Sequence, residues 1–266
     1  MITGASGSMG AAAVRSVASR GGRVIMACRN LSKAGSVRES VIRDIPGAVI
    51  DIAELDLSSL ASVRKFAEGL SGERVDALFN NAGVINRDYR LTPDGMENTL
   101  ATNYAGPFLL TGLLLPRMEE GSRVVDMVSL TCRYGNVDRT FFDRGEDRFS
   151  QLGTYSDTKL ALLLSGIAFA RRYGGIRFNF ADPGIVNSNM ISMGRWFDPL
   201  ADVFFRPLCK RPEKGVAPAL KALDSEVGLH YFAGRFRHSV ADRYVSHPLI
   251  DWLFGETARR VGLNDI

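Results

Sequence analysis

The chain has 266 residues, a formal net charge of +4 and 45% hydrophobic residues. This length fits one α/β domain or two small domains, and the composition excludes disordered and fibrous proteins. Lys and Arg are scattered along the chain, so the basic balance does not indicate nucleic-acid binding. The three cysteines and three histidines lack the spacing of a zinc site or a disulfide framework, and we expect no metal.

No signal-peptide pattern opens the chain, and no apolar run is long enough to cross a bilayer. The longest runs, 106–115 and 160–170, fall short of the ~18 residues that a transmembrane helix needs. We therefore expect a cytoplasmic protein without a transmembrane segment.

Short apolar runs alternate along the chain with segments of helical periodicity. Strands are predicted at 24–27, 49–53, 77–79, 123–129 and 176–180, and helices near 9–20, 33–43, 59–70, 95–118 and 155–173. This alternation predicts βαβ units, and so an α/β fold: a single-domain Rossmann fold over residues 1–266, with a doubly wound parallel β-sheet and helices on both faces. Only Met1 and Ile2 precede the first turn, so either the first strand is a stub or the natural start lies upstream.

Residues 190–215 differ from the rest of the chain. They are strongly apolar and are interrupted by Gly194 and Pro199. We predict a helical insertion that forms a lid over an apolar substrate pocket. The alternative is an extra helix pair that completes the core.

The first chemical motif is a glycine-rich turn before the first helix. Glycines at positions 4, 7 and 10 give the pattern T-G-x-x-G-x-x-G. Glycine allows a tight turn and a close approach of pyrophosphate to the backbone, while the helix N-terminus supplies free N–H donors. The turn therefore predicts dinucleotide binding by Thr3, Gly4, Ser6, Gly7, Ser8, Met9 and Gly10.

The residue type at the end of the second predicted strand indicates which dinucleotide binds. Folds that prefer NAD place an acidic residue there, about 20 residues past the turn, to hold the ribose 2′-hydroxyl. This chain has Arg29 at that place, and a guanidinium matches a 2′-phosphate. We predict NADP(H) as the preferred cofactor and NAD(H) as the alternative, with Arg15 and Lys33 as further positive charges.

Tyr155 and Lys159 form the second motif. Residues four apart lie on one helix face, and a nearby ammonium lowers the pKa of a tyrosine. Tyr155 is thus predicted to donate a proton in carbonyl reduction and to accept one in alcohol oxidation.

Four further segments follow predicted strands in chain order. They are Asp56-Leu57, Asn80-Asn81-Ala82-Gly83, Ser129, and Pro183-Gly184-Ile185-Val186-Asn187-Ser188. With the two motifs, they make nearly the whole chain resemble the short-chain dehydrogenase/reductase family. The resemblance implies catalytic roles for Ser129, Tyr155, Lys159 and Asn103. It implies cofactor contacts from Tyr155 and Lys159 and from Asp56, Leu57, Asn81, Ala82, Gly83, Pro183, Gly184, Val186 and Ser188.

Two departures refine the resemblance. Ser8 stands where short members of the family usually have glycine, and the glycine spacing is that of extended members such as sugar-nucleotide epimerases. The long interval between Ser129 and Tyr155, and the Arg29 segment, resemble the retinol dehydrogenase and protochlorophyllide reductase-like branch. That branch acts on apolar carbonyls or alcohols.

The sequence therefore predicts an oxidoreductase that interconverts a carbonyl and an alcohol on a small apolar substrate by hydride transfer. One alternative is a catalytically idle NADP(H)-binding sensor or scaffold. Another is a sugar-nucleotide epimerase or dehydratase that retains NAD. The resemblance also implies a homodimer formed through helices 95–118 and 155–173.

Overall fold

The computed structural model describes residues 1–70, 72–186 and 210–263. These residues form an eight-stranded sheet in the order β3-β2-β1-β4-β5-β6-β7-β8. The strands are β1 (Ile2–Thr3), β2 (Val24–Cys28), β3 (Ile50–Glu54), β4 (Ala77–Asn80), β5 (Arg123–Met127), β6 (Arg177–Asp182), β7 (His230–Ala233) and β8 (Phe236–Ser239). Strands β1 to β7 run parallel, and β8 is antiparallel to β7. The predicted doubly wound parallel sheet is confirmed.

Helices cover both faces of this sheet. They are α1 (Ser8–Ala18), α2 (Leu31–Asp44), α3 (Leu60–Gly69), α4 (Asn98–Leu100), α5 (Gly106–Leu114), α6 (Gln151–Arg172), α7 (Pro212–Leu223), α8 (Asp242–Val245) and α9 (Ile250–Val261). Buried side chains of α1, α2 and α7 form one core with the sheet, and those of α3, α5, α6 and α9 form a larger core on the other face. None of the described helices is long and apolar enough to span a membrane.

The predicted helix 95–118 is not one regular helix. It begins as α4, passes through a π-helical turn at Ala101–Ala105, continues as α5 and ends in a 3₁₀ turn at Leu115–Arg117. A π-helical turn inserts one extra residue and so changes which side chains face the sheet. Asn103 lies inside this turn.

Helix α9 closes the larger core. The Phe254 ring lies 5.1 Å from that of Phe108 on α5 and 4.9 Å from that of Phe169 on α6. The Thr257 hydroxyl bonds the buried Tyr104 hydroxyl at 2.5 Å. Helix α9 of the same chain thus covers aromatic faces of the two helices that the sequence assigns to a dimer surface, and the homodimer stays a prediction.

The predicted insertion at 190–215 lies mostly outside the described residues. The structure describes its last six positions, where α7 begins at Pro212. The predicted lid therefore stays a prediction.

Candidate active site

A groove of about 800 Å³ runs along the carboxyl ends of the central strands. We call it the glycine-turn groove, because the turn between β1 and α1 forms its floor. Its walls contain most of the predicted cofactor residues: Gly4, Ser6, Gly7, Ser8, Met9, Gly10, Arg29, Asp56, Leu57, Asn81, Ala82 and Gly83. The structure thus brings these residues, which are far apart in sequence, to one edge of the sheet.

The turn requires glycine at two of its positions. Gly4 has φ +61°, and a Cβ there would lie 2.9 Å from the Ala82 Cα. A Cβ at Gly10 would lie 2.4 Å from the Gly4 carbonyl oxygen and 2.7 Å from the Ala5 Cα. Helix α1 starts directly after Gly7, and no side chain caps it. The first N–H groups of α1 are therefore available to an anion in the groove.

Thr3 lies below the groove floor and is fully buried. Its hydroxyl accepts hydrogen bonds from the backbone N–H groups of Asn81 and Ala82, both at 3.0 Å. It donates to the Phe79 carbonyl at 3.4 Å. Thr3 therefore holds the turn after β4 in place and does not itself line the groove.

Arg29 stands at the groove rim, with 70% of its side chain exposed. Its Nη1 lies 4.0 Å from the Asp56 carboxylate. Lys33 also lines the groove, near the start of α2, where the Asn30 side chain caps the helix by accepting from the Lys33 N–H at 2.8 Å. Arg15 pairs with Asp44 and is not among the residues that line the groove, so its added charge stays a prediction.

A second cavity, of about 220 Å³, adjoins the groove and shares Met9, Asn81 and Gly83 with it. We call it the tyrosine pocket. Its walls contain the predicted residues Ser129, Tyr155, Lys159, Pro183, Gly184 and Val186, together with the apolar Ile85, Val128, Leu152 and Ile185. Ser188 lies outside the described residues.

Tyr155 and Ser129 both line the tyrosine pocket. Burial raises the pKa of Tyr155 to about 12, and the neighbouring Ser129 hydroxyl only partly offsets this. The predicted lowering of the Tyr155 pKa by Lys159 is therefore wrong in this arrangement. Lys159 shares the helix face, with its Nζ 5.7 Å from the ring centre, but it donates at 2.7 Å to the Met127 carbonyl.

Lys159 is only 2% exposed. Burial lowers its pKa to about 8, and the neighbouring Cys132 and Asp126 act in the opposite direction. Since burial disfavours charge, the lysine loses its proton more easily than a lysine in water. The protonation state of Lys159 near neutral pH therefore depends on the few groups around it.

Asn103 lies behind the pocket and does not line it. Its Oδ1 accepts from the Val84 N–H at 2.8 Å, and its Nδ2 donates to the Val84 carbonyl at 2.9 Å and to the Thr158 hydroxyl at 3.3 Å. Thr158 in turn donates to the Tyr155 carbonyl at 2.7 Å. The described contacts of Asn103 thus hold the pocket wall in place, and its predicted role in orienting a water remains a prediction.

The segment between Ser129 and Tyr155 is fixed to α6 by Asp157. The Asp157 carboxylate accepts from the Asn136 N–H at 2.6 Å and from Arg144 at 2.5 Å. Arg144 also pairs with Asp138 at 3.0 Å. The position of Asp157 between Tyr155 and Lys159 was visible in the sequence, but its partners were not.

Two further acids were missed by sequence reasoning. Asp182, directly before the Pro183-Gly184 turn, accepts from the Gly184 N–H at 2.8 Å and from the Tyr231 hydroxyl at 3.3 Å. Asp126 is buried in the middle of β5. The only available signal was an aspartate between the apolar residues Val125 and Met127.

The chain matches known proteins over most of its length. The family model described as short chain dehydrogenase matches residues 1–195. Retinol dehydrogenase 12 of Bos taurus is 34% identical over 253 residues, which cover 92% of this chain and 79% of that protein. Retinol dehydrogenase 13 of Homo sapiens is 30% identical over 282 residues, covering 99% and 84%.

A plant relative matches over a shorter range. The chloroplastic short-chain dehydrogenase TIC 32 B of Brassica napus is 36% identical over 205 residues, which are 71% of this chain and 64% of that protein. The match thus spans less than two thirds of the plant protein.

Solved structures agree with the fold. A crystal structure of an uncharacterised protein from Mycobacterium paratuberculosis has a TM-score of 0.78 and 30% identity, covering 98% of this chain and 92% of that one. A short-chain dehydrogenase from Shigella flexneri, complexed with NADP, has a TM-score of 0.69 and 21% identity, covering 88% and 96%. At that identity, the second structure supports the fold alone.

Proposed function

The chain belongs to the short-chain dehydrogenase family, and from that premise we propose that it is an NADP(H)-dependent oxidoreductase that interconverts a carbonyl and an alcohol on a small apolar substrate. One observation carries the proposal: Ser129, Tyr155 and Lys159 line a pocket that opens onto the glycine-turn groove. A bound nicotinamide cofactor would supply the hydride.

The residues of the groove fit a dinucleotide. Gly4 and Gly10 allow the tight turn, because a Cβ at either would clash with the protein's own backbone, and the uncapped first residues of α1 line the groove. The exposed guanidinium of Arg29 and the ammonium of Lys33 supply positive charge at the far end of the groove. Two cations at that place favour a 2′-phosphate and hence NADP(H).

The pocket residues have complementary tasks. The raised pKa of Tyr155 keeps its hydroxyl protonated at neutral pH, which is the state that a proton donor in carbonyl reduction needs. Ser129 lines the same pocket as Tyr155 and would bond the same substrate oxygen. Lys159, which lines the same pocket, would contact the nicotinamide ribose of a bound cofactor.

The pocket mouth supports an apolar substrate. Leu152 and Ile185 line the pocket and are both more than half exposed. Exposed apolar side chains grouped at a pocket mouth favour apolar ligands. The names of the retinol dehydrogenase relatives agree with a substrate of this kind.

No feature of the described residues favours either of the alternative functions. Three polar groups that meet in one pocket have no purpose in an idle sensor or scaffold protein. An epimerase or dehydratase that retains NAD would release it on denaturation, and the absorbance of the supernatant would show it.

The test is a fluorescence titration of the purified protein with NADPH and with NADH. We expect NADPH to bind at least about tenfold more tightly, because each charge-assisted bond to the 2′-phosphate contributes about 1.5–3 kcal/mol. The variant Arg29→Ala should remove most of this difference. Arg20→Ala, which removes an exposed arginine paired with Asp224 outside the groove, is the matched control. Binding of neither nucleotide would overturn the proposal.

Assembly and location need separate measurements. The homodimer through helices 95–118 and 155–173 is part of the proposal, and sedimentation velocity would detect it. A cytoplasmic location stays a prediction that cell fractionation would test.

A further inference from the structure

Asp182 is a buried carboxyl group beside the tyrosine pocket that the proposed reaction does not use. It is the last residue of β6, directly before the Pro183-Gly184 turn, and is only 6% exposed. No ion pair joins it to another described residue. A buried carboxylate without a direct ion pair costs folding free energy, so its presence at this place calls for a reason.

The Asp182 carboxylate contacts two segments of the chain at once. Its Oδ1 accepts from the Gly184 N–H at 2.8 Å, and its Oδ2 accepts from the Tyr231 hydroxyl at 3.3 Å. Tyr231 lies on β7, which pairs with β6, and it packs against the larger core. The carboxylate therefore joins the turn after β6 to a strand that is itself fixed in the sheet.

Lys210 contacts the same turn from outside β6 and β7. Its Nζ donates to the Pro183 carbonyl at 3.3 Å, and its backbone N–H donates to the Ile185 carbonyl at 3.0 Å. Gly184 has φ +68°, which favours glycine, and a Cβ there would lie 2.7 Å from the Lys210 Nζ. The turn therefore combines a glycine conformation with hydrogen bonds from two separate side chains.

The restrained turn forms one wall of the tyrosine pocket. Residues 183–186 all line the pocket, as do Ser129 and Tyr155. Apart from an isolated bridge between Val186 and Lys210, the segment 183–186 has no regular secondary structure. The shape of this wall therefore depends on the side chains that hold it.

We propose that Asp182 is a positioning residue, which fixes the Pro183-Gly184 wall of the tyrosine pocket through its two hydrogen bonds and so holds the reactants in place against Tyr155. The inference rests on the proposed function, because it assigns Asp182 to the pocket of that reaction. Small displacements of reacting groups cost rate, since hydride and proton transfer need close and correctly oriented partners. Without these bonds turnover falls, although the groups that carry the chemistry are all present.

Two substitutions of Asp182 separate its hydrogen bonds from its charge. Asp182→Ala removes both bonds. Asp182→Asn keeps them, because its amide oxygen can accept from the Gly184 N–H and its NH₂ group can donate to the Tyr231 hydroxyl.

Asn179→Ala is the matched control for lost stability. Asn179 is a fully buried polar residue of the same strand, and its side chain bonds backbone groups at the start of β7, not the turn. A merely structural role for Asp182 would affect Asp182→Ala and Asn179→Ala alike.

The first measurement is the hydrogen exchange of the Gly184 N–H, followed by NMR in protein labelled with ¹⁵N-glycine. The signal is assigned by its loss in Gly184→Ala. We expect exchange about tenfold faster in Asp182→Ala than in the wild type, and within about threefold in Asp182→Asn and Asn179→Ala, because only Asp182→Ala loses the acceptor. An unchanged rate in Asp182→Ala, or an equal rise in Asn179→Ala, overturns the proposal.

The second measurement is the steady-state reduction of hexanal, a small apolar aldehyde, by NADPH. We expect kcat to fall about tenfold in Asp182→Ala and to stay within about twofold of the wild type in Asp182→Asn and Asn179→Ala. An equal fall in Asp182→Asn or in Asn179→Ala overturns the proposal. The exchange measurement needs neither cofactor nor turnover, so a wild-type protein that does not reduce hexanal counts against the proposed function alone.

If Asp182→Ala does not fold, Tyr231→Phe tests the same contacts from their other end. It keeps the ring and removes the hydroxyl that donates to Asp182, so the carboxylate is less firmly held. We expect Gly184 exchange about threefold faster than in the wild type and a fall in kcat of about the same factor. Wild-type values for both quantities overturn the proposal.

Discussion

The glycine-turn groove and the tyrosine pocket meet at Met9, Asn81 and Gly83, yet different parts of the polypeptide form them. The groove is formed largely by backbone and small side chains of the turns that follow β1 to β4. Thr3, which lies beneath the groove, makes three hydrogen bonds with the strand β4 residue Phe79 and the turn after it. The same bonds that shape the groove therefore also stabilise the fold.

The pocket contains ionisable side chains whose charged forms are disfavoured by burial. Burial raises the pKa of Tyr155 and lowers that of Lys159, which means that the charged form of each group is unfavourable where it lies. Stability and activity thus coincide in the groove and oppose each other in the pocket. Single substitutions can test this contrast.

The largest effect is expected for Tyr155→Phe. The ring remains in place and only the hydroxyl is lost, so kcat should fall by about 10³-fold. NADPH affinity should stay within about twofold of the wild type, because the groove is untouched. Steady-state kinetics and the fluorescence titration measure the two effects. Turnover close to that of the wild type would refute the role of Tyr155.

Gly10→Ala should damage the groove and leave the pocket intact. Its Cβ would lie 2.4 Å from the Gly4 carbonyl oxygen, so the turn must open. Overpacking of this kind costs about 1–3 kcal/mol, and we expect NADPH to bind about 100-fold more weakly. Gly35→Ala is the control, because a Cβ at that position on α2 meets no atom within 4 Å. Equal affinities for the two variants would contradict the geometry of the turn.

Thr3→Val should destabilise the protein. It leaves the N–H groups of Asn81 and Ala82 without their acceptor, and unsatisfied buried donors cost about 1–3 kcal/mol each. We expect a loss of about 3 kcal/mol in the free energy of unfolding, measured in urea. Thr3→Ser, which keeps the hydroxyl, should recover most of it.

Lys159→Met should increase the free energy of unfolding, and its effect should be the smallest of the four substitutions. The pKa of Lys159 lies near 8 in the folded protein against an ordinary 10.5, so burial of the ammonium costs about 3 kcal/mol below pH 8. Loss of the bond to the Met127 carbonyl offsets about 1 kcal/mol. We expect a net gain in stability of about 2 kcal/mol at pH 7.

The pH dependence of that gain provides the check. Between pH 8 and 10.5 the unfolded chain holds the lysine proton and the folded protein does not, so the stability of the wild type rises with pH. The advantage of Lys159→Met should therefore vanish above that range. A gain that is equal at about pH 7 and about pH 11 would show that packing, and not charge, is its source.

The sequence predicts the groove better than the pocket for a physical reason. Strands β2, β4, β5 and β6 are short, mostly buried runs, and the glycine turn is one continuous segment, so both leave local patterns. Spacing places Tyr155 and Lys159 on one helix face, but it does not show that the ammonium turns to the Met127 carbonyl or how strongly burial acts on either group. The partners of Asn103 and Asp126 belong to other strands and helices and leave no local signal.

The sequence also does not predict strand β8 or the π-helical turn, because neither leaves a distinctive pattern. All four residues of β8 are exposed, so the strand shows no apolar alternation. The π-helical turn at Ala101–Ala105 keeps a helical composition, and periodicity does not distinguish it from a regular helix.

The position of α9 has a consequence for how the protein is made. The Tyr104–Thr257 bond joins residues 153 apart in the chain. Domains fold as their segments emerge from the ribosome. Phe108 and Phe169 therefore lack their contacts with Phe254 until that residue has been synthesised. The nascent chain therefore presents this aromatic surface until its last segment has been made, and this is the stage at which chaperones would act on it.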